Sequence, residues 1–390
     1  MGRLYLFAAI VVVTLNLRPA LVTIGPVLPL IGNTLGLSPS MLGVVTSLPI
    51  FMLGAAGGIA EPFGRRIGWS SGVVVAASLI ALGTILRSAG SVVTLFCGAV
   101  LLGCGIGLGN VYVPTLLKWR FADRLGMVMG VYTFCLSFGA MLSVGVTPAL
   151  LHVFAGDWRP ALAVWAIPAI ACALLWSPLV RLRGSGSSSL QRIGLWRNPL
   201  AWSVTGYMGC QSMLFYSLAS WYGALLHERG VSVVLASFDL SVFYVTQIVF
   251  ALIAPMMLVR TSRQEVVGAS LPAIAALAVV GALYGPVALI PLWSAIIGLA
   301  LGAVFGVALS FMVLRARHAE SAARLSGMAQ TVGYLFASLG PLAIGLLHAA
   351  PDPRFASAVW LVALAIATAA LGALAGRNAF IDGEAALTPH

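Results

Sequence analysis

The chain has 390 residues, 61% hydrophobic and only 8% charged, with a mean hydropathy of +1.04. Soluble domains are about a quarter charged, so a soluble fold is excluded; long apolar runs in place of short alternating segments exclude a membrane β-barrel. The net charge of +11 is scattered through short loops, which fits membrane topology and leaves no face for a nucleic-acid partner.

The N-terminus, Met1-Gly2-Arg3 and an apolar run, has no small-residue cleavage site, so it reads as a retained first helix. Charge and turn clusters divide the chain into twelve spans, each near the 17–25 residues a crossing needs. The first, 4–31, carries Leu15-Asn16-Leu17-Arg18-Pro19. Arg18 lies roughly 20 Å along the helix from Tyr5, deep in a hydrocarbon core about 30 Å thick. An arginine there is costly unless it meets a cavity, partner or ligand, which makes it a functional candidate. Pro19, Pro26 and Pro29 predict kinks or local unwinding, with freed carbonyls lining a cavity. The second span, 38–60, runs into Gly57-Gly58-Ile59-Ala60-Glu61-Pro62-Phe63-Gly64-Arg65-Arg66. Spans three and four cover 69–89 and 92–117, the latter glycine-rich with Asn110 four residues before Pro114. Spans five and six cover 126–152 and 159–180.

A basic Gly/Ser-rich linker over 181–199 follows. Span seven, 200–226, places Gln211 and Phe215 on one face, with Tyr216 adjoining; Trp196, Trp202 and Tyr207 read as membrane-edge anchors. Span eight, 235–258, holds Asp239, the one acid expected inside the membrane, and Tyr244 and Gln247 on one face. Spans nine to twelve cover 266–284, 287–314, 325–349 and 355–376, with Gln330 and Tyr334 sharing a face of the eleventh. The expected fold is therefore an all-α polytopic membrane protein with twelve transmembrane helices in two six-helix pseudo-repeats. Its parts are an N-terminal bundle over 1–180, the linker, a C-terminal bundle over 200–376 and a tail over 377–390.

With the N-terminus inside, sixteen Lys and Arg fall on the inner side and four, Arg87, Arg159, Arg229 and Arg354, on the outer; Arg18 completes the 21. Both termini are expected to be cytoplasmic in an inner membrane. The halves repeat: Leu101-Leu102-Gly103, Gly107 and Arg120 match Ile296-Ile297-Gly298, Gly302 and Arg315 at an offset of 195. Arg124-Leu125, Gly126-Met127 and Gly139 echo Arg324-Leu325, Gly327-Met328 and Gly340. Six-plus-six repetition marks transporters whose halves enclose a midplane site. Gly54 and Gly58, Gly103 and Gly107, and Gly298, Gly302 and Gly306 form small-xxx-small patterns for close helix approach.

Arg18 offers a planar fork of donors suited to carboxylate-like anions. No second strong charge accompanies it at the midplane, so a cation carrier is disfavoured and an anion or strongly dipolar solute favoured. Asn110, Gln211, Tyr216, Gln330 and Tyr334 are the expected supporting groups of an otherwise apolar site. The alternative for Arg18 is a structural one, pairing with Asp239 or with backbone carbonyls. Catalysis, cofactors and metals are not expected: a Walker phosphate loop, a C-x-x-C pair and a ligand cluster are all lacking.

The Gly57 to Arg66 string resembles the G-x-x-x-D-R-x-G-R-R loop of the major facilitator superfamily. Glu61 stands for the usual Asp, Gly64, Arg65 and Arg66 match, and Pro62 stands where Arg is usual. The resemblance implies that Gly57, Glu61, Gly64, Arg65 and Arg66 belong to the conformational switch. A narrower resemblance rests on Leu15-Asn16-Leu17-Arg18-Pro19 with Gly25-Pro26 and Leu28-Pro29, Gly209-Cys210-Gln211-Ser212 with Phe215-Tyr216 and Trp221, Val313-Leu314-Arg315-Ala316-Arg317, and Leu325 through Tyr334 to Gly340-Pro341. Together these are similar to the cyanate permease and 2-nitroimidazole transporter branch of that superfamily. That implies secondary transport of a small anionic or polar organic solute by alternating access. A monomer is expected, with a proton as a further partner and Asp239 its candidate carrier. The alternatives are a multidrug exporter with a broad apolar cavity and, in another class, a non-transporting receptor or scaffold.

Overall fold

A computed structural model describes residues 3–181 and 195–382; most of the linker, 182–194, and the tail end, 383–390, lie outside the described residues. The first span is broken twice, into α1 (Arg3–Asn16), α2 (Pro19–Val22) and α3 (Ile24–Leu35). Pro19 has no N–H to continue the helix, so the break falls at Leu17 and Arg18, as the prolines predict. The chain continues through α4 (Pro39–Ile67), α5 (Trp69–Arg87), α6 (Val92–Arg120) and α7 (Leu125–Val153), and then the sixth span, α8 (Trp158–Ala163) with α9 (Ala166–Trp176). The second group is α10 (Pro199–His227), α11 (Val233–Arg260), α12 (Gln264–Tyr284), α13 (Ile290–Leu314), the eleventh span split into α14 (Ala319–Ala337) and α15 (Leu339–Leu347), and α16 (Pro353–Ala375).

Eleven stretches of the described residues are long and apolar enough to cross a membrane. The twelfth crossing is α10, 29 residues without Asp, Glu, Lys or Arg, whose mean hydropathy alone falls short. Packing explains that exception. Twenty-one of its residues are buried, and it touches α3, α11, α13, α14, α15 and α16. A helix shielded from lipid on nearly every side has no need of an apolar surface all round.

The internal repeat has a physical content in helix packing. In the first half α6 lies on α4: a Cβ at Gly103 would overlap the Pro49 carbonyl, and one at Gly107 would come within 2.5 Å of the Leu53 carbonyl. In the second half α13 lies on α11 the same way, with Gly298, Gly302 and Gly306 against the carbonyls of Phe243, Gln247 and Ala251. Both seams need backbone-to-backbone contact, which only glycine permits there.

Three seams join the halves. Along α4, a Cβ at Gly43 would meet Gly345 of α15 at 3.1 Å, and one at Gly54 the backbone of Leu335 at 3.0 Å; at Gly58 it would meet the Thr331 methyl at 3.0 Å. On the other side α7 meets α11, where Gly145 faces Ser241, and α3 meets α10, where Gly25 faces the Ala219 carbonyl.

Two expectations are corrected. The switch sequence is no loop: α4 runs through Glu61, Pro62 and Gly64 to Ile67, and Gly68 (φ 88°) alone makes the turn. Glu61 and Arg65, one turn apart, pair at 2.6 Å, and Tyr112 donates to the Ala60 carbonyl at 3.0 Å, binding this extension to α6. Tyr207 is not a membrane-edge anchor; it is fully buried 5.6 Å from Phe311, whereas Trp196 and Trp202 are exposed. The first residues of the tail, 377–382, are docked: Ile381 N–H donates to the Arg315 carbonyl (2.8 Å), and Asp382 accepts from the backbone amides of Arg317 (2.7 Å) and His318 (3.3 Å).

Candidate functional site

Arg18 sits in the break between α1 and α2, half-buried; its carbonyl accepts from the Leu21 and Val22 amides, but among the described residues its guanidinium makes no hydrogen bond and no ion pair. The alternative of an Arg18–Asp239 pair is therefore absent from this structure. Its guanidinium carbon lies 5.4 Å from the centre of the Phe215 ring. Tyr132, Tyr216, Tyr244 and Tyr334 are its electrostatic neighbours. All but Tyr132 join Phe215 and Phe243 in a continuous wall: Phe215 is 5.0 Å from Tyr216 and 6.1 Å from Tyr244, Tyr216 is 6.2 Å from Tyr334, and Phe243 is 6.0 Å from Phe215. The groups come from α1/α2 and α7 of the first half and from α10, α11 and α14 of the second.

Backbone geometry holds the arginine in place. The Leu15 carbonyl, whose helical donor would be the missing Pro19 N–H, packs on Gly139 of α7 with no room for a Cβ. At the second break, the Thr23 hydroxyl donates to the Pro19 carbonyl at 2.9 Å and accepts from Arg87 at 3.3 Å. Arg87 is 1% exposed at the end of α5, and its Nε has no partner. The sequence places it at the outer end of the third span; nothing in its neighbours marks a side chain that turns back into the bundle.

The expected supporting residues divide into two groups. Tyr216 and Tyr334 stand beside Arg18, and Asn110 is linked to it through Tyr132, whose hydroxyl lies 3.4 Å from Asn110 Oδ1. Gln211 and Gln330 are turned to their own helices: Gln211 Nε2 donates to Ser212 Oγ (2.6 Å) and Met208 Sδ (3.3 Å), and Gln330 Nε2 donates to Ser326 Oγ (2.9 Å). Asp239 is 3% exposed on α11 with an unpartnered Oδ1, next to Tyr222 and away from Arg18. Tyr132 and Phe243 were not selected from sequence, because a ring in an apolar helix carries no mark of which way it faces. Tyr244 is wholly buried and its hydroxyl has no partner among the described residues.

An unpaired arginine costs about 2.5–3.5 kcal/mol at a helix centre, and more where it is less hydrated. An anion seated on the guanidinium offsets that cost. Twelve helices in two groups, enclosing such a charge where the groups meet, are the architecture of a membrane transporter.

The comparisons give the class a family. The Major Facilitator Superfamily model matches residues 6–341. The chain is 32% identical over 380 residues to the uncharacterized transporter YycB of Bacillus subtilis (strain 168), covering 97% of this chain and 94% of that one. It is also 32% identical to the 2-nitroimidazole transporter of Escherichia coli (strain K12), covering 97% and 96%, and 27% identical to the cyanate transport protein CynX of the same organism, covering 87% and 88%. Among solved structures, the D-xylose-proton symporter superposes with a TM-score of 0.80 at 14% identity over 95% of this chain and 97% of that one, a likeness of fold. The chain belongs to the Major Facilitator Superfamily and is a multi-pass membrane protein, a secondary transporter of that type.

Proposed function

We propose that the protein carries a small anionic or polar organic solute, cyanate-like or nitroimidazole-like, across the inner membrane by alternating access, with Arg18 as the anchor. The observation that carries this reading is the Arg18 guanidinium, set between the halves with no acid and no hydrogen bond. The names of two relatives, a 2-nitroimidazole transporter and a cyanate transport protein, support the solute class. Tyr216, Tyr334 and Asn110 form the near wall. Gln211 and Gln330 contribute by exchanging their present helix partners for the solute. The excess of basic residues at the end bearing Arg65, Arg66, Arg120 and Arg315 supports a reading in which that end is the inner side and both termini are cytoplasmic. The 1–180 and 200–376 bundles work as the two moving bodies of a monomer, and Gly57, Glu61, Gly64, Arg65 and Arg66 form the switch at the inner end of α4. Asp239 is the proposed site of any coupled proton, since a carboxylate with an unpartnered oxygen gains most from protonation.

The test is thermal stabilisation of the purified protein by small anions and neutral heterocycles, with Arg18→Ala alongside. A ligand at 100 times its Kd stabilises the folded state by about 2.7 kcal/mol. The reading requires an anion or strongly dipolar solute that stabilises the wild type and not Arg18→Ala. Equal shifts of both proteins by bulky neutral or cationic compounds alone would favour multidrug export.

A further inference from the structure

The rings around Arg18 contain more information than its charge does. A site built for a small linear anion needs only donors, and aromatic walls add nothing to it. Here five rings, Phe215, Tyr216, Phe243, Tyr244 and Tyr334, are linked centre to centre at 5.0–6.2 Å, and most of the pairs meet edge to face. Phe215 holds the guanidinium at its face. A planar guest lying among such rings gains stacked and edge-to-face contacts beyond the area it buries.

The polar groups restrict the guest further. Arg18 lacks any acid to neutralise it, and its fork matches a carboxylate with two parallel hydrogen bonds. A nitro group has the shape of a carboxylate and no net charge, so it leaves the arginine unneutralised. The Tyr244 hydroxyl, fully buried and without a partner among the described residues, is a second polar group in the wall. Resting on the anion-anchor reading of Arg18 given above, we propose that the preferred solute is a monocyclic aromatic carboxylate, its carboxylate on Arg18 and its ring against Phe215, Tyr216 and Tyr334.

The inference is tested by equilibrium binding to the full-length protein in lipid nanodiscs. Benzoate is compared with cyclohexanecarboxylate, which has the same charge and ring size without the π-face, and with cyanate and 2-nitroimidazole as competitors. The expected result is benzoate binding about tenfold tighter than cyclohexanecarboxylate, the order of two ring contacts. In Phe215→Leu that preference shrinks while the two carboxylates still bind. Because the central comparison is made on the wild type, a variant that fails to fold leaves it intact. Equal affinity for the two carboxylates would overturn the aromatic inference and leave the anion reading standing. Cyanate binding tighter than benzoate would do the same. Binding of 2-nitroimidazole with no carboxylate binding at all would overturn the carboxylate and keep a polar-solute carrier. If no solute bound and Arg18→Ala behaved like the wild type, the anchor reading itself would fall with it.

Discussion

Arg18 is legible from sequence because a charge in the middle of an apolar run has few explanations. What surrounds it is much less legible. Helical spacing put Gln211 beside Phe215 and Gln330 beside Tyr334, yet both amides turn to neighbours in their own helices. Period tells which face a residue occupies and not which hydrogen bond its side chain prefers. Tyr132 and Arg87 have no signal at all, since their roles arise from other spans. Arg87 supports a residue-scale prediction. Thr23→Val keeps the shape and removes the acceptor, leaving Arg87 buried without its hydrogen bond to Thr23. A loss of about 1–3 kcal/mol is expected, with Thr23→Ser close to wild type, measured as unfolding in detergent. Equal stability of the two variants would mean that the bond contributes nothing.

At the scale of elements, the twelve spans follow from the apolar runs between charge and turn clusters, although the mean hydropathy of α10 alone would not mark it as one. The first-span break follows from Pro19. The extension of α4 past Pro62 was hidden because glycine, proline and arginine together look like a turn; the Glu61–Arg65 pair and the Tyr112 bond to Ala60 carry the helix on. The split of span eleven at Ser338 is announced by Gly340-Pro341, since Pro341 has no N–H for the Ala337 carbonyl one turn back. The glycine seams were readable as spacing, and the structure supplies their partners. Gly298→Val should destabilise by at least about 1–3 kcal/mol, because the Phe243 carbonyl in its way is backbone and does not rotate aside; unchanged melting would mean that α13 and α11 do not pack this closely.

A pH-sensitive contact closes the end of α15 on the end of α10. His348 Nε2 lies 2.9 Å from a Glu228 oxygen and Nδ1 2.9 Å from the Ile344 carbonyl, so both ring nitrogens face acceptors. Only the imidazolium has two N–H groups to satisfy both. Burial pulls the His348 pKa down, but the bonds to Glu228 and Ile344 outweigh it, and the net direction is upward. A raised folded-state pKa gives stability that is full below the unfolded value near 6.5 and is lost as pH rises through the folded value. The melting temperature of the wild type should therefore fall across that interval more than that of Glu228→Gln. Parallel pH profiles would show the contact to be neutral.

At the scale of the whole molecule, function depends on the seams between the halves, and these are the least legible part. Gly43 and Gly145 look like ordinary helix glycines, and the Gly54–Gly58 spacing does not tell that its partners belong to the other half. A Cβ at Gly145 would stand 4.0 Å from the Ser241 Cβ, within the span of a disulfide. Gly145→Cys with Ser241→Cys should cross-link on mild oxidation and stop transport, and reductant should restore it, while either single variant stays active. Full transport in the cross-linked protein would mean that α7 and α11 do not separate there during the cycle.

The most direct measurement is counterflow of a labelled small anion into proteoliposomes preloaded with the same solute, for wild type and Arg18→Ala. The account predicts saturable accumulation by the wild type and none by a variant that is folded and inserted. Equal accumulation by both would contradict the role given to Arg18, and binding without any flux would make the protein a receptor.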